Sequence, residues 1–316
     1  MMQNMKAVKR TAITITALAF ILLLVFSSCN GEEKGGAMAE DANSTDIKDF
    51  YIAAANSPVE SQCAALMGDE LLSMGYSWDM GIVDPMDEEA FSCALSGGYR
   101  AVICVGRDVL ESYIFLKTSL PCLYCIVDNS PYRPERELSG ICPVISVTDM
   151  VKASVTLFGS DKCFSIISFE RGAVDVQDAC DYLDEAAVDY TVEALGDRGV
   201  ESGIASAKEK GCDVIIISDG DSIREPISAD TGLKTVIRGR GSGALGASLA
   251  FSLDTAKIAR TMASLCDEMM RGTDSSASRE DDGGYYILFI NRAVRETLSD
   301  SAVGITSESY DIVITE

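Results

Sequence analysis

Beyond residue 47 the chain alternates short apolar runs with longer amphipathic stretches. The runs at 50–55, 101–105 and 122–127 are almost wholly apolar, and 77–83 is strand-like between turn residues. Uninterrupted runs of this length read as strands buried on both faces. Between them the apolar positions take helical spacing. Ser57-Pro-Val-Glu60 opens a helix in which Ser57 caps, Pro58 suits the first turn and Glu60 closes a capping box. Cys63, Ala64, Met67, Leu71, Leu72 and Met74 form its apolar stripe, and 87–96 and 109–118 read as further helices. Residues 129–139, with Pro131, Pro134 and a cluster of charges, read as a surface crossing.

A second series follows, with strands near 164–169, 189–194, 213–218 and 234–237 and helices near 150–157, 176–187 and 200–210. Asp254 caps a long amphipathic helix with Ile258, Ala259, Met262, Leu265, Cys266 and Met269 on one stripe, ending at Gly272. The polar, Gly/Ser-rich stretch 271–284 reads as a loop. A strand at 285–290, a short helix from Arg292 and a strand at 310–315 close the chain. Such alternation demands parallel sheets covered by helices on both faces. The expected fold is therefore α/β, with two Rossmann-like lobes and a ligand cleft between them. Residues 47–145 plus about 240–272 would form one lobe, and 146–239 plus about 285–316 the other. Ligands of parallel sheets lie outside the carboxyl ends of the strands, so the strand-to-helix turns are the functional rim.

The N-terminus carries an address. Lys6, Lys9 and Arg10 precede an uncharged run at 11–26 that closes on Phe26-Ser27-Ser28-Cys29, the order of a secretory signal. This junction resembles the lipobox of bacterial lipoproteins, with Phe26 where Leu is usual. The resemblance implies cleavage after residue 28 and diacylglycerol on Cys29; the alternative is an uncleaved anchor. In both cases the rest of the chain would lie outside the cytoplasmic membrane, tethered by the unpatterned stretch 29–46.

Composition narrows the function. The formal charge is -23, and losing the leader would remove three bases (Lys6, Lys9, Arg10) and no acid. A field of that sign repels nucleic acid, which is excluded as a partner. The chain has no histidine. A His-dependent triad is thus impossible, and a zinc site would need cysteines and carboxylates alone. Cys104, Cys142 and Cys163 sit in strand-like runs and read as small core hydrophobes. Cys122-Leu-Tyr-Cys125 has redox-motif spacing, but in a strand it sends the two thiols to opposite faces. No cofactor is expected. Gly241-Ser-Gly243-Ala-Leu-Gly246 spells a dinucleotide fingerprint outside the first βαβ unit and lacks the acid that should end a following strand. It reads instead as an interlobe turn needing positive φ.

Candidate ligand contacts fall at strand ends. Asn56 and Ser57 begin the first helix, where N–H groups and the helix dipole suit a carboxylate or phosphate, although Ser57 equally serves as a simple cap. Gly106 permits close approach, and Arg107 offers a bidentate partner for a carboxylate. Asp128 and Asn129 end the fourth strand; Asp128 suits a ligand ammonium or starts a turn. Ser168 and Phe169 end a strand of the second lobe, where Phe169 either stacks on a planar ligand or fills the core. Ser218 and Asp219 end the next one, and topology makes Asp219 the foremost of these residues.

Several segments carry a family resemblance. Tyr286-Ile-Leu-Phe-Ile-Asn291-Arg-Ala-Val-Arg-Glu-Thr-Leu298, with Gly304-Ile-Thr306 and Tyr310-Asp-Ile-Val313, resembles the closing segment of a family of ABC-transporter substrate-binding lipoproteins. Gly241–Leu245 and Met269-Met-Arg-Gly272 are similar to its penultimate segment, Ala101–Gly106 and Pro121–Asp128 to its first-lobe core, and Asp213–Asp219 to a second-lobe strand. The resemblance implies a type I periplasmic-binding-protein fold whose chain crosses between lobes more than once. It implies a monomer that binds an amino-acid-like or other small carboxylate and delivers it to an ABC permease. The segment between Asp219 and Gly239 is shorter than in that family. A second resemblance, of Lys208–Asp213 and Ala229–Val236 to the sensing domain of propionate-type transcriptional activators, implies instead a lipid-anchored sensor with a membrane signalling partner. An exported enzyme using Asp219 and Asp221 is the third possibility.

Overall fold

A computed structural model describes residues 47–84, 86–116, 118–127, 138–169, 173–196, 199–218, 232–239, 246–272, 279–282 and 284–315. In its first half, strands β1 (Lys48–Ala54), β2 (Trp78–Ile82), β3 (Tyr99–Val105), β4 (Cys122–Cys125) and β5 (Ser139–Val144) alternate with helices α1 (Pro58–Ser73), α2 (Glu88–Leu95) and α3 (Arg107–Phe115). The second series runs α4 (Val147–Phe158), β6 (Phe164–Ser168), α5 (Val174–Glu185), β7 (Tyr190–Ala194), α6 (Val200–Glu209), β8 (Val214–Ile217), β9 (Lys234–Gly239) and β10 (Leu249–Leu253). Then come α7 (Thr255–Met270), β11 (Arg279–Asp282), β12 (Tyr286–Asn291), α8 (Arg292–Arg295), α9 (Asp300–Thr306) and β13 (Asp311–Thr315).

The strands form two sheets. The first has the order β11-β5-β4-β3-β1-β2 and is parallel throughout. The second has the order β13-β12-β10-β9-β8-β6-β7, with an antiparallel step only between β10 and β12. This is the two-lobed α/β architecture expected from the alternation. Period-two burial explains the layering. Phe50, Ile52 and Ala54 face one apolar cluster while Tyr51 and Ala53 face another. In the second sheet, Phe164, Ile166, Val214 and Ile216 face the first cluster, and Ile167, Ile215 and Ile217 face a third. One cluster thus runs continuously through both lobes. Cys122 and Cys125 fall in different clusters, as their odd spacing requires.

Some elements differ from the pattern-based expectation. Ser139 is the first residue of β5, not the end of a surface crossing. Arg279–Asp282 pairs in parallel with β5 inside what reads as a polar loop, because four acidic and basic residues carry no apolar signal for a strand. Leu249–Leu253 lies in the second sheet beside β9, so the return to the first lobe begins at Asp254 rather than near residue 240. Residues 241–245 of the glycine-rich motif lie outside the described residues; β9 and β10 on either side of it belong to the same sheet, and Gly246 has positive φ, 72°.

The chain passes between sheets after β5, after β10 and between β11 and β12. These crossings are bonded to one another. The Asp254 N–H donates to the Tyr285 carbonyl at 2.7 Å, and Lys257 Nζ donates to the Gly284 carbonyl. Tyr286 OH reaches the Pro143 carbonyl at 3.5 Å, and Arg238 Nη1 donates to the Ile145 carbonyl at 2.6 Å.

Packing of α1 on the first sheet sets up one counterintuitive expectation. Gly68, buried in mid-helix, lies under the indole of Trp78, where an added Cβ would sit 2.4 Å from Cζ2 and 2.7 Å from Cε2. Alanine in a helix interior usually gains about 1 kcal/mol over glycine. Gly68→Ala should here lose about 1–2 kcal/mol instead, since the ring must shift. Urea unfolding followed by the fluorescence of Trp78, the sole tryptophan, measures the sign.

Candidate functional site

Each sheet has one place where neighbouring strands send their connections to opposite faces. In the first sheet it lies between β1 and β3, and in the second between β6 and β8. Open α/β sheets hold ligands at such switch points. The candidate residues of the described chain gather at these two places.

At the first, the Ala55 N–H donates to the Val105 carbonyl at 3.0 Å, which sets the β1–α1 turn against the β3–α3 turn. Gly106 is buried at φ 107° and ψ 150°, a backbone that a side chain rarely tolerates. A Cβ there would lie 3.0 Å from Ala55 Cβ and 3.3 Å from Glu60 Cγ. The turn therefore requires glycine for both conformation and space. Its N–H donates to the Cys125 carbonyl at 2.9 Å, joining the end of β4 to the same junction.

Asn56 is exposed and Ser57 half-buried. Ser57 Oγ accepts the Glu60 N–H at 3.4 Å, and the Ser57 N–H donates to the Ala55 carbonyl at 2.8 Å. With Pro58 lacking an N–H, α1 spends most of its first-turn donors on itself. Helix α3 is different. Its N-cap is Gly106, which supplies no side-chain acceptor to the first turn. That end of α3 keeps the partial positive charge that attracts anions. Arg107, its first residue, is exposed and pairs through Nε with Glu111 Oε1 at 2.8 Å.

Two features of this junction give no sequence signal. Glu60, spelled as a capping residue, is only 3% exposed and packs beneath Gly106. Ile126, directly after β4, is buried with φ 55°. A β-branched residue in the left-handed region costs about 1–3 kcal/mol, and such strain gathers where a segment must be held for a ligand. A bond to Cys63, together with burial, pushes the neighbouring Cys125 thiol up, so it stays protonated.

At the second switch point, Ser168 and Ser218 are both buried at the ends of their strands. The Ser218 N–H donates to the Ile167 carbonyl at 3.1 Å, which brings the β6 and β8 ends together, and the Ser168 carbonyl accepts the Leu195 N–H at 2.8 Å. Phe169 is half-buried and packs on the cluster of Ile167, Leu195, Val200 and Ile217. Asp128, Asn129, Asp219, Asp221 and Cys29 lie outside the described residues. Among the described residues, no helix is long and apolar enough to cross a membrane, and no three His, Cys, Asp or Glu side chains group as metal ligands.

No protein-family model and no curated protein sequence matches the chain. Solved structures do resemble it. A ligand-free, open substrate-binding protein with adhesive properties from Clostridium difficile superposes with a TM-score of 0.61 at 13% identity, covering 85% of this chain and 100% of that one. An ABC domain in complex with L-Trp from Streptococcus pneumonia gives 0.56 at 12% identity, over 84% of this chain and 100% of that one. A periplasmic ribose ABC transporter protein of Conexibacter woesei gives 0.57 at 12% identity, over 81% and 96%. With its two mostly parallel sheets and three passages between them, and with these likenesses, the chain has the type I periplasmic-binding-protein fold.

Proposed function

We propose that this protein is an extracytoplasmic solute-binding protein, held to the membrane by lipid on Cys29. It closes its two lobes on a small molecule, amino-acid-like or another small carboxylate, and passes it unchanged to an ABC permease. The observation that carries this reading is the β3–α3 junction: Gly106 at φ 107° opens the N-terminus of α3 at a switch point without capping it. A carboxylate placed there meets backbone donors and the positive end of a helix, with Arg107 alongside. Ser168 and Ser218 at the corresponding point of the second sheet supply further polar atoms. Three passages of chain connect the lobes and would serve as the hinge for closure around a ligand. A solved neighbour that is a substrate-binding protein and another, an ABC domain in complex with L-Trp, are consistent with an amino-acid-like ligand.

The test is native followed by denaturing mass spectrometry of the full-length chain, extracted from membranes in detergent and never refolded. A small molecule that rides on the native protein and leaves intact on denaturation is the expected result, with a diacylglyceryl group on an N-terminal Cys29. A co-purifying compound released in chemically altered form would point to an enzyme. A chain that stays empty even after soaking in mixed amino acids and small organic acids would sink the ligand class.

A further inference from the structure

The described cysteines are free, and one pair stands apart from the rest. Cys163, just before β6, and Cys212, two residues before β8, sit at the amino ends of adjacent parallel strands, remote from the switch-point rim. Their sulfurs are 3.3 Å apart. The backbone holds them there. The Asp213 and Val214 N–H groups donate to the Cys163 carbonyl at 2.8 and 3.1 Å, and the Cys163 N–H donates to Asp213 Oδ2 at 3.0 Å. Cys212 is buried and touches the Thr191 hydroxyl at 3.7 Å, whereas Cys163 is partly exposed. Cys104 and Cys122, at 3.6 Å, are the comparison pair: both are sealed in the core of the first lobe, 0% and 5% exposed.

We propose that Cys163 and Cys212 are a redox modification site, a dithiol that closes to a disulfide when a small-molecule disulfide such as oxidised glutathione reaches Cys163. The Cys163 thiolate attacks the oxidant, which releases one glutathione thiolate and leaves a mixed disulfide. The Cys212 thiolate then attacks the Cys163 sulfur and expels the second glutathione. The two cysteines lose two electrons and two protons, and the oxidant becomes two thiols. Closure needs the sulfurs to approach to about 2.05 Å from positions already in contact. The accessible member takes the attack, and the buried one resolves it.

The surroundings set the rate. Burial, the Cys212 thiol and the Asp189 and Asp213 carboxylates push the Cys163 thiol up to about 11. Lys162 beside it is paired with Asp161 at 2.8 Å. The thiolate is therefore scarce at neutral pH, and closure is slow at pH 7 and faster at pH 9. The resulting cross-link would span a separation of 49 residues and leave the ligand rim untouched. It would act as a brace on the second lobe, independent of any bound solute. Constraining a loop of that size should raise Tm by roughly 5 °C.

The test incubates the full-length chain with oxidised glutathione at pH 8.5, quenches with N-ethylmaleimide under denaturation, and digests without reduction. The expected product is one linked peptide pair joining Cys163 to Cys212, with Cys104 and Cys122 alkylated, and a higher Tm that reverts with reductant. Cys212→Ser should instead trap glutathione on Cys163, which shows attack without resolution even if this variant is less stable. Alkylation of both Cys163 and Cys212 after long oxidation would overturn the proposal, as would a lasting glutathione adduct on Cys163 of the unaltered chain.

Discussion

Replacing Gly106 with valine will cost the fold about 4 kcal/mol and abolish solute capture. Two penalties add at this position. Its φ of 107° puts a β-branched residue in a region that costs roughly 1–3 kcal/mol. The new side chain would also start 3.0 Å from Ala55 Cβ and 3.3 Å from Glu60 Cγ, and overpacking of a tight site adds about 1–3 kcal/mol. Neither neighbour has room to yield, since Ala55 is fixed by its bond to Val105 and Glu60 is buried in the first turn of α1. Gly106→Ala should do the same more mildly, losing about 2–3 kcal/mol. Urea denaturation gives the stability, and native mass spectrometry gives the retained ligand. A valine variant within 1 kcal/mol of the parent would show that the turn is not held as described.

Arg238→Met should lower stability by about 2 kcal/mol and loosen the first crossing between lobes. Arg238 reaches from β9 to the Ile145 carbonyl at 2.6 Å and lies 4.0 Å from Asp175 Oδ2. Asp175 Oδ1 in turn accepts the Val147 N–H at 2.7 Å, which caps α4 as the chain enters the second lobe. One guanidinium thus secures both the carbonyl before that helix and the carboxylate that starts it. Burial raises the Asp175 carboxyl above its ordinary 3.8, against the Val147 N–H and Arg238, which lower it. Because the net shift is upward, the folded state favours the neutral acid. Asp175 by itself therefore contributes most below that ordinary value, and its contribution falls as pH rises through the folded pKa. Removing Arg238 takes away the cation that offsets this. The deficit of Arg238→Met should therefore be larger at pH 7 than at pH 4, where protonation of Asp175 begins to erase the attraction. Denaturation at the two pH values measures it, and a deficit equal at both would assign Arg238 to packing alone.

The strand ends show how far residue patterns reach. Asn56, Ser57, Gly106, Arg107, Ser168, Phe169 and Ser218 all follow buried runs, and the structure sets them at two switch points. Position was readable because a buried strand must end where its apolar run ends. What each side chain does there was less so. Ser57 acts on its own helix, Arg107 is paired with Glu111, and Phe169 lies against the core. Those outcomes depend on neighbours that arrive from elsewhere in the chain.

Local periodicity by itself determined the α/β class, nearly every element of the two alternating series and the opposite facing of Cys122 and Cys125, because strand and helix repeats are local. Only the tertiary structure decided the rest. It paired Arg279–Asp282 with β5 and put β10 in the second sheet, since hydrogen-bonded neighbours are chosen by long-range packing. It strained Ile126, buried Glu60 under Gly106 and brought Cys163 to within 3.3 Å of Cys212. Each of these needs two or more distant segments fixed at once, a condition that no single stretch of sequence contains.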